Sequence, residues 1–489
     1  MIYTAIDIGA SSGRVMVGEL KEGKFEVQEI HRFANGFIQR DGHCFWDIDH
    51  LLKQILQGLQ KVKALGYERC TVGIDTWAVD YVLLDDKGNR LQEVMSYRDK
   101  RTEHTIDKLE HTLSKDTIYQ KTGIQFQPFN TIYQLYEEDR ELLKTTDKII
   151  MVPDYLGYCL TGKAVTEITN ASTTQLLNVS TGKLDPELLK AVSVQEHQFA
   201  PLTEPGRELG MLKNDWFPDY DLPACKVITV ATHDTASAVI AAPGVNDSWA
   251  YISSGTWSLI GVENKTPILT DLALKNNYTN ERGANNTIRF LKNIIGMWVI
   301  QEVRQQLQAD YSFQQLAEEA RKTKPFLQFI NLNDERFLNP DSMIEELQHY
   351  CRETRQKIPR TAGELACCIY SNLAIIYAIA IKELETITGN SIQQLHIIGG
   401  GARNDFLNQL TADMSGKAVY AGPIEATAIG NILMQMIASK EVKDIKEARQ
   451  AVRNSFPIKV FTPKDIDRST IIQSFRQTVL KALSNKVKR

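Results

Sequence analysis

At the start of the chain, apolar and polar positions alternate with a period of two in several short runs. This period predicts β-strands, and the runs are Tyr3–Ile8, Arg14–Glu19, Lys24–Phe33, Thr71–Asp75 and Val79–Leu84. Between them, Ile48–Leu65 has apolar residues at helical spacing, which predicts an amphipathic helix. Short strands that alternate with a helix indicate an α/β domain.

The middle of the chain has a more helical pattern, with candidate helices at Asp99–Leu113 and Thr131–Leu143. Further on, Lys226–Ala231 predicts a buried strand, and Thr235–Ala242 predicts a helix of small residues. The longest apolar stretch, Leu373–Ile381, is about half as long as a membrane span and is closed by polar residues at both ends. We therefore expect it to form a buried core helix.

The two halves of the chain share one sequence pattern. Pro243–Asn246 is the strongest boundary signal near the middle, and the following segment 250–261 has the order of the opening residues: apolar strand, Ser/Gly/Thr turn, apolar strand. Such similarity is typical of a duplicated domain. A chain of 489 residues is also too long for one compact core. We expect domains at 1–245 and 246–465 and a C-terminal helix at 466–489.

Composition narrows the class of protein. A hydrophobic content of 43% and a charged content of 24% are ordinary for a soluble globular protein, and a net charge of −4 offers nucleic acid no basic field. No basic segment followed by an apolar run opens the chain, so we expect a cytoplasmic protein without a membrane partner. The seven cysteines lack metal-site spacing, and reduced thiols are expected. The sequence does not decide whether Cys351 and Cys368 form a disulfide.

The first candidate site is the turn that follows strand Tyr3–Ile8. Asp7 ends that strand, and the turn Gly9–Gly13 consists of small residues that let backbone N–H groups approach an anion. A carboxylate beside bound phosphates is placed to reach a divalent metal. The pattern predicts a phosphate and metal site, and the alternative is a polar turn that only reverses the chain.

Asp234 follows the predicted strand Lys226–Ala231, at the position where α/β sheets place ligands. Phosphoryl transfer to an alcohol requires a carboxylate that accepts the hydroxyl proton, and Asp234 is our candidate; the alternative is a helix N-cap. In the segment Gly73–Asp80 a strand likewise ends in a carboxylate, and a short polar and aromatic turn follows. Its hydrogen-bond donors and its indole would hold a polyol; the alternative is a β-hairpin in which Trp77 packs in the core. Lys292–Gln301 predicts a helix, with Asn293 at its start and Gln301 two turns later on the same face.

A third small-residue turn, Gly399–Asn404, lies between the predicted strand Leu395–Ile398 and the predicted helix Asp405–Met414. Strand, glycine turn and helix N-terminus in this order favour phosphate binding. The chain has neither a GxxxxGK[ST] motif nor the protein-kinase signatures. The pattern therefore predicts a nucleotide site divided between two domains.

Together these motifs resemble the FGGY carbohydrate kinases, which have the actin-like ATPase fold. The similarity extends to about Pro463, and the runs that carry it are 9–16, 74–77, 122–126, 233–240 and 253–259. The small turns and the triple glycine are general to the family. The resemblance implies an α/β protein with two actin-like (ribonuclease H-like) domains and a nucleotide and sugar cleft between them. The oligomeric state stays open between a monomer and a small homo-oligomer.

The runs Gly-Ile-Asp-Thr-Trp at 73–77 and His-Asp-Thr-Ala-Ser at 233–237 resemble the family members that phosphorylate L-rhamnulose at its 1-hydroxyl. The resemblance therefore implies ATP and L-rhamnulose as substrates and Mg²⁺ as cofactor. Another family member, acting on L-fuculose or xylulose, is the alternative enzyme. A non-catalytic actin-like ATPase or sugar sensor is the alternative from another class, and it would not need Asp234.

The resemblance also implies roles for individual residues. Asp234 falls on the family's proton acceptor, and Asp7 on the carboxylate that faces Mg²⁺, through water. The implied ATP contacts are Ala10, Ser11, Ser12, Gly13, Arg14, Thr256, Gln301 and Gly400. The implied sugar contacts are Ala78, His233, Asp234, Thr235 and Asn293. Ala78 stands where the family has glycine, and its methyl group remodels the sugar pocket if that glycine allows close approach.

Overall fold

The computed structural model describes residues 1–246, 248–338 and 340–486, with side chains as far as residue 482. It divides the chain into two compact units. The first contains Met1–Val245, Glu263–Leu291 and Ala426–Ser455, and the second contains Asn246–Val262, Lys292–Glu425 and Phe456–Arg489. The last helix covers Arg468–Lys486, and residues 487–489 of the expected C-terminal helix lie outside the described residues.

The strands are, in chain order, β1 (Tyr3–Ile8), β2 (Ser12–Lys21), β3 (Lys24–Ala34), β4 (Phe37–Arg40), β5 (His43–Trp46), β6 (Arg69–Thr76), β7 (Tyr81–Leu84), β8 (Val94–Met95), β9 (Lys148–Met151), β10 (Thr166–Glu167), β11 (Leu177–Asn178), β12 (Lys183–Leu184), β13 (Leu202–Thr203), β14 (Arg207–Met211), β15 (Ala224–Thr229), β16 (Trp249–Ser254), β17 (Trp257–Asn264), β18 (Thr279–Arg282), β19 (Ile288–Ile295), β20 (Gln394–Ile398), β21 (Ala418–Ala421) and β22 (Lys459–Phe461).

The α-helices are α1 (Ile48–Ala64), α2 (Thr105–Glu110), α3 (Lys115–Thr122), α4 (Thr131–Tyr136), α5 (Arg140–Thr145), α6 (Val152–Thr161), α7 (Ile168–Ala171), α8 (Pro186–Ala191), α9 (Asp234–Ile240), α10 (Asp271–Lys275), α11 (Trp298–Gln306), α12 (Phe313–Arg321), α13 (Met343–Glu353), α14 (Ala362–Thr388), α15 (Asp405–Ser415), α16 (Ala426–Ala438), α17 (Ile445–Ser455) and α18 (Arg468–Lys486).

The first unit is built on a sheet with strand order β14-β15-β6-β1-β2-β3. All six residues of β1 are buried, as expected for a strand covered on both faces. β1 is antiparallel to β2 and parallel to β6, and β6 is parallel to β15. The register pairs Asp7 with Asp75, so these two carboxylates lie side by side on neighbouring strands.

Helices α9 and α16 of the first unit pack against each other at very short range. A Cβ atom on Gly430 would lie only 1.8 Å from the carbonyl oxygen of Ser237, so no larger residue fits without moving a helix. One turn further along α16, the Gln435 amide donates to the carbonyl of Thr4 at 3.0 Å. The contact therefore places the first turn of α9 relative to the central strand.

Most predicted elements of the first unit are confirmed, and three differ. Asp99–Leu113 is a short 3-10 turn, capped by Asp99, followed by α2. Thr131–Leu143 is divided into α4 and α5, because Asp139 accepts from two backbone N–H groups and begins a new helix. The predicted strand Val79–Leu84 starts only at Tyr81, since Val79 has a left-handed φ of 70°.

In the second unit, β16 lies between antiparallel β17 and parallel β20, and β21 and β22 follow outward. The apolar stretch Leu373–Ile381 lies within α14, which begins with a reciprocal cap between Thr361 and Glu364 and ends at Gly389. This helix is long and apolar enough to cross a membrane, yet 89% of its most apolar window is buried in the protein. The predicted core helix is confirmed.

All seven cysteines are free thiols. Cys351 and Cys368, whose pairing the sequence left open, are both buried and unbonded. Among the described contacts, two other cysteines approach each other most closely. Sγ of Cys70 and Sγ of Cys225 lie 3.3 Å apart on the paired strands β6 and β15.

Candidate active site

The turn after β1 is held by its own backbone and by one neighbouring amide. The N–H of Gly9 donates to the carbonyl of Ser12 at 2.9 Å, and the Asn35 side chain donates to the carbonyl of Gly9 at 2.7 Å. Gly13 packs directly beneath the ring of Phe33, where a Cβ atom would lie 2.1 Å from the ring. Packing therefore requires glycine at position 13, and the other residues of the turn, Gly9 to Ser12, are half-buried or exposed.

Three carboxylates of the first unit interact at the ends of their strands: Asp7, Asp75 and Asp234. Burial raises the pKa of Asp7, the nearby charge of Arg14 opposes this, and Asp234 adds to it. Arg14 donates to Oδ2 of Asp7 at 2.6 Å. The three carboxylates therefore repel one another, and only Asp7 among them has an arginine partner within the described contacts.

Asp75 is the most deeply buried of the three. Burial raises its pKa well above the ordinary range, and the charges of Asp7 and Asp234 raise it further. Asn431 of α16 donates to its Oδ2 at 2.5 Å, while its Oδ1 is buried with no hydrogen-bond partner among the described residues. A buried oxygen without a donor indicates either a bound proton or a cation in the functional state.

Asp234 is the first residue of α9, and its side chain is 31% exposed. The residue at the N-cap position is His233, which makes no side-chain cap bond. The hydroxyl of Thr235 donates to Oδ1 of Asp234 at 3.0 Å. The carboxylate thus lies at a helix N-terminus, where the helix dipole favours negative charge, and solvent reaches it.

A buried network surrounds His233. Nη2 of Arg289 lies 3.0 Å from Nδ1 of His233 and donates to Oε2 of Glu281 at 2.9 Å. Glu281 and Arg289 are cross-strand partners in the β18–β19 hairpin. Burial raises the pKa of Glu281, but the charge of Arg289 and the hydrogen bond from its guanidinium hold that pKa below its usual range. On its other side, Nε2 of His233 is 3.5 Å from Oδ1 of Asp234.

Glu167 fixes the backbone of the strand end that carries His233 and Asp234. Its Oε2 accepts from the backbone N–H of Thr232 at 3.1 Å and from the Thr232 hydroxyl at 2.8 Å. The same carboxylate accepts from the hydroxyl and the N–H of Thr169. Burial raises its pKa, and these donors lower it. A fully buried carboxylate with this many donors is a rigid support for the turn.

The loop after β6 is organised by Asp80. Its Oδ2 accepts from the indole N–H groups of Trp46 at 2.6 Å and Trp77 at 2.9 Å, and the two indole rings pack with centroids 4.1 Å apart. Trp77 is therefore buried core, as the packing interpretation of this segment predicts. Ala78, which follows Trp77, is half-buried. The next residue, Val79, is held in its left-handed conformation by a hydrogen bond from the Thr131 hydroxyl to its carbonyl.

In the second unit, three predicted binding residues lie around the end of β16: Thr256 and Gly400 on turns, and Gln301 in α11. The turn Gly255–Thr256 joins β16 to β17, and its carbonyls accept from the N–H groups of Met297 at 3.0 Å and Trp298 at 3.1 Å. Gly296 permits this contact, since a Cβ atom there would lie 2.6 Å from Oγ of Ser258. α11 therefore begins against the turn that carries Thr256, and Gln301 lies in its first turns.

The triple-glycine turn packs on the same strand end. A Cβ atom on Gly401 would lie 2.0 Å from Oγ of Ser254, the last residue of β16, whereas one on Gly400 would meet open space. Gly400 is exposed and begins a short 3-10 turn that leads into α15. The sequence predicts a strand, a glycine turn and a helix in this order, and this prediction is confirmed.

The predicted helix Lys292–Gln301 is wrong in its first half. Asn293 lies on strand β19, and the helix begins only at Trp298. The β-branched pair Ile294 and Ile295 favours a strand, and Gly296 then turns the chain. Asn293 therefore does not share a helix face with Gln301. Its Oδ1 is buried without a hydrogen-bond partner among the described residues.

Comparison with known proteins identifies the family. The N-terminal domain of the FGGY family of carbohydrate kinases matches residues 2–241, and the C-terminal domain of the same family matches residues 250–439. The chain belongs to the FGGY family of carbohydrate kinases. FGGY relatives with high identity include a rhamnulokinase from Bacillus subtilis, 88% identical over 99% of this chain and 100% of the relative. A rhamnulokinase from Ligilactobacillus salivarius is 55% identical over 97% of this chain and 98% of the relative.

Solved structures agree with the FGGY fold. A ligand-bound xylulose kinase from Lactobacillus acidophilus has a TM-score of 0.78 at 18% identity, covering 100% of this chain and 97% of that one. A glycerol kinase from Plasmodium falciparum with ADP has a TM-score of 0.79 at 15% identity, covering 99% of this chain and 98% of that one. At these identities the likeness establishes the fold, and the prediction of a two-domain FGGY fold is confirmed.

The first unit contains ten of the fourteen site residues that the sequence singles out, and five of these ten are joined by contacts. Asp7, Arg14, His233, Asp234 and Thr235 belong to one connected group of side chains, and the second unit gathers Thr256, Gln301 and Gly400 around the end of β16. Sequence reasoning missed Glu167, Glu281 and Arg289. Arg289 had a signal, since it stands between the apolar residues Ile288 and Phe290, and a charge buried between apolar neighbours needs a partner.

Proposed function

We propose that the protein transfers the γ-phosphoryl group of ATP to the 1-hydroxyl of L-rhamnulose. The observation that carries the proposal is the position of Asp234: a solvent-reached carboxylate at the first turn of α9, beside the buried Asp7 and Asp75. The relatives named rhamnulokinase support the choice of sugar. The seven free thiols fit a reducing, cytoplasmic compartment.

In this proposal Asp234 accepts the proton of the attacking hydroxyl. Its side chain is 31% exposed, which gives a substrate access to the carboxylate. General-base assistance of this kind contributes on the order of 10²–10⁴-fold to the rate. The sugar contacts are proposed for His233, Thr235, Ala78 and Asn293, whose buried Oδ1 would accept from a sugar hydroxyl.

The nucleotide contacts are proposed for turns of both units. In the first unit, Ala10–Arg14 would present backbone N–H groups to the phosphates, and Arg14 adds a positive charge. In the second unit, the contacts are assigned to Thr256, Gln301 and the exposed Gly400, where open space lets the phosphates approach the backbone. Each of these residues is half-buried or exposed except Gly13.

The carboxylate group fits a Mg²⁺ ion. Asp75 has a buried oxygen without a donor, and both Asp7 and Asp75 have pKa values raised by burial and by neighbouring negative charge, which a cation would relieve. The described residues contain no group of three or more ligands arranged to hold a metal alone. This agrees with Mg²⁺, which commonly takes one or two carboxylates, waters and the substrate phosphates. When bound, the ion would neutralise phosphate charge, with Asp7 holding it through water.

The test is ADP release measured with a panel of ketoses: L-rhamnulose, L-fuculose, D-xylulose and a blank without sugar. We expect L-rhamnulose to give the highest kcat/KM, and Asp234→Asn to lower kcat by about 10²–10⁴-fold with little change in ATP affinity. Asp271→Asn is the matched control, because Asp271 is likewise the first residue of a helix but is exposed and away from these groups. Near-normal turnover by Asp234→Asn would refute the assignment, and a preference for another ketose would refute the choice of sugar.

A further inference from the structure

The direction of the hydrogen bond between Arg289 and His233 is settled by chemistry. Nη2 of Arg289 lies 3.0 Å from Nδ1 of His233. A guanidinium carries only donors and keeps its proton, so Arg289 donates and Nδ1 accepts. A neutral imidazole that accepts at Nδ1 carries its proton on Nε2. The contact therefore selects one of the two neutral forms of His233.

Glu281 holds the guanidinium in this position. Its Oε2 accepts from the same Nη2 at 2.9 Å, and the two residues face each other across the β18–β19 hairpin. The Arg289 side chain is 0% exposed and that of Glu281 is 5% exposed, so either charge alone would be strongly unfavourable. Each hydrogen on Nη2 thus has its own acceptor, one on Glu281 and one on His233.

The alternative proton position on His233 does not fit the distances. A proton on Nδ1 would point at Nη2 of Arg289, which is a donor. Its other neighbour, Oε2 of Glu281, lies 3.4 Å away, which is long for an N–H···O hydrogen bond. The observed geometry therefore favours the proton on Nε2.

The Nε2–H group of His233 lies near the Asp234 carboxylate but does not form a strong hydrogen bond with it. Nε2 lies 3.5 Å from Oδ1 of Asp234, too far for a strong hydrogen bond. A donor and an acceptor therefore lie side by side, each able to engage a third group.

We propose that Arg289 and Glu281 are positioning residues that hold His233 as a neutral Nε2–H donor. His233 then donates to a sugar oxygen while Asp234 accepts the proton of the reacting hydroxyl. The identity of the sugar rests on the proposed function, whereas the proton position on His233 is a property of the protein alone. The two ideas can therefore fail separately.

The decisive variant is Arg289→Met. Without the guanidinium, the Glu281 carboxylate beside Nδ1 draws the ring proton to that nitrogen, and Nε2 loses its hydrogen. We expect the KM for the ketose to rise about tenfold and kcat to fall, because a donor to the sugar is lost, while the KM for ATP stays within about twofold. Arg336→Met is the control, since it breaks another Arg–Glu pair of the second unit, with an N···O distance of 2.8 Å and side chains that are 13% and 11% exposed.

The readout that a merely structural role would not move is the proton position itself. In protein labelled with [¹⁵N]histidine, NMR distinguishes a ring protonated at Nε2 from one protonated at Nδ1. The nine histidines give overlapping signals, and the signal missing from His233→Gln assigns the ring of interest. We expect the Nε2–H form in wild type and in Glu281→Gln, which keeps the donor on Arg289, and the Nδ1–H form in Arg289→Met.

A wild-type ring protonated at Nδ1, or at both nitrogens at pH 8, would overturn the proposal. An Arg289→Met variant with the changed proton position but an unchanged ketose KM would overturn the role in sugar binding. If Arg289→Met does not fold, the spectra of wild type and Glu281→Gln still decide the proton position. If no ketose stimulates ADP release in wild type, the proposed function fails, and the spectra remain informative.

Discussion

Replacing Asp80 by asparagine should change how the stability of the protein depends on pH. Asp80 is buried and accepts four hydrogen bonds: from Trp46 at 2.6 Å, Trp77 at 2.9 Å and the N–H of Tyr97 at 3.0 Å to Oδ2, and from Gln134 at 2.9 Å to Oδ1. Burial outweighs these donors and raises the pKa of Asp80 from 3.8 to about 6. Asparagine has nearly the same shape and does not titrate in this range.

The sign follows from the raised pKa. The folded state holds the proton of Asp80 more tightly than the unfolded state, so this contribution to stability is fully present below about pH 4 and is lost as pH rises through about 6. At about 1.4 kcal/mol per pKa unit, the loss amounts to about 3 kcal/mol. Asp80→Asn lacks this loss. Relative to wild type, the variant should therefore gain about 2 kcal/mol of this total between about pH 4 and about pH 7.

The assay is urea denaturation followed by tryptophan fluorescence at several pH values, with the variant compared with wild type at each. Other buried carboxylates titrate in both proteins, and their contributions cancel in the difference. A two-unit chain need not unfold in one step, so the comparison uses the transition that reports the indoles beside Asp80. Asp85→Asn gives the opposite control: Asp85 is half-buried and hydrogen bonds from Asn89 lower its pKa, so its stabilising effect is lost as pH falls. A difference between Asp80→Asn and wild type that does not vary with pH would refute the reasoning.

Two further predictions concern packing. Gly401→Ala places a methyl group 2.0 Å from Oγ of Ser254, so it should cost about 1–3 kcal/mol of stability and raise the KM for ATP, whereas Gly36→Ala, which meets open space, should be nearly neutral in denaturation. With a thiol reagent, the folded protein should react within minutes at no more than the two half-buried cysteines, Cys44 and Cys159, and the unfolded protein at all seven. Rapid reaction of a third thiol would contradict the described burial.

The carboxylates of the first unit were predictable because each follows its own strand. Asp7, Asp75 and Asp234 stand where an apolar run stops, and parallel strands bring such ends to one edge of a sheet. Local pattern is enough to place residues of this kind. Packing details follow less directly: Gly430 is an ordinary helical glycine in the sequence, and only the approach of α9 to α16 shows why a side chain is excluded.

Other parts of the site depend on contacts between distant segments, which one sequence does not display. Glu167 and Thr232 are far apart in the chain, and neither belongs to a motif. Asn293 was misplaced because its segment has apolar residues that satisfy either period over a short run, and the β-branched pair Ile294 and Ile295 decided for a strand. Long-range partners and short ambiguous runs are therefore the limits of the sequence argument.

The same three carboxylates illustrate why chemistry needs the structure as well as the motif. In the sequence each is an aspartate at or just after the end of an apolar run, and the neighbouring residues predict a metal site at Asp7 and a proton acceptor at Asp234 but no separate role for Asp75. In the fold, Asp75 is buried with one oxygen lacking a donor, Asp7 is paired with Arg14, and Asp234 is reached by solvent beside a histidine whose own proton position is set by Arg289. Because three neighbouring negative charges repel one another, the differences in burial and partners give the three carboxylates different properties. In the proposed function, the two buried groups therefore hold the cation beside the phosphates, and the half-buried Asp234 accepts the proton.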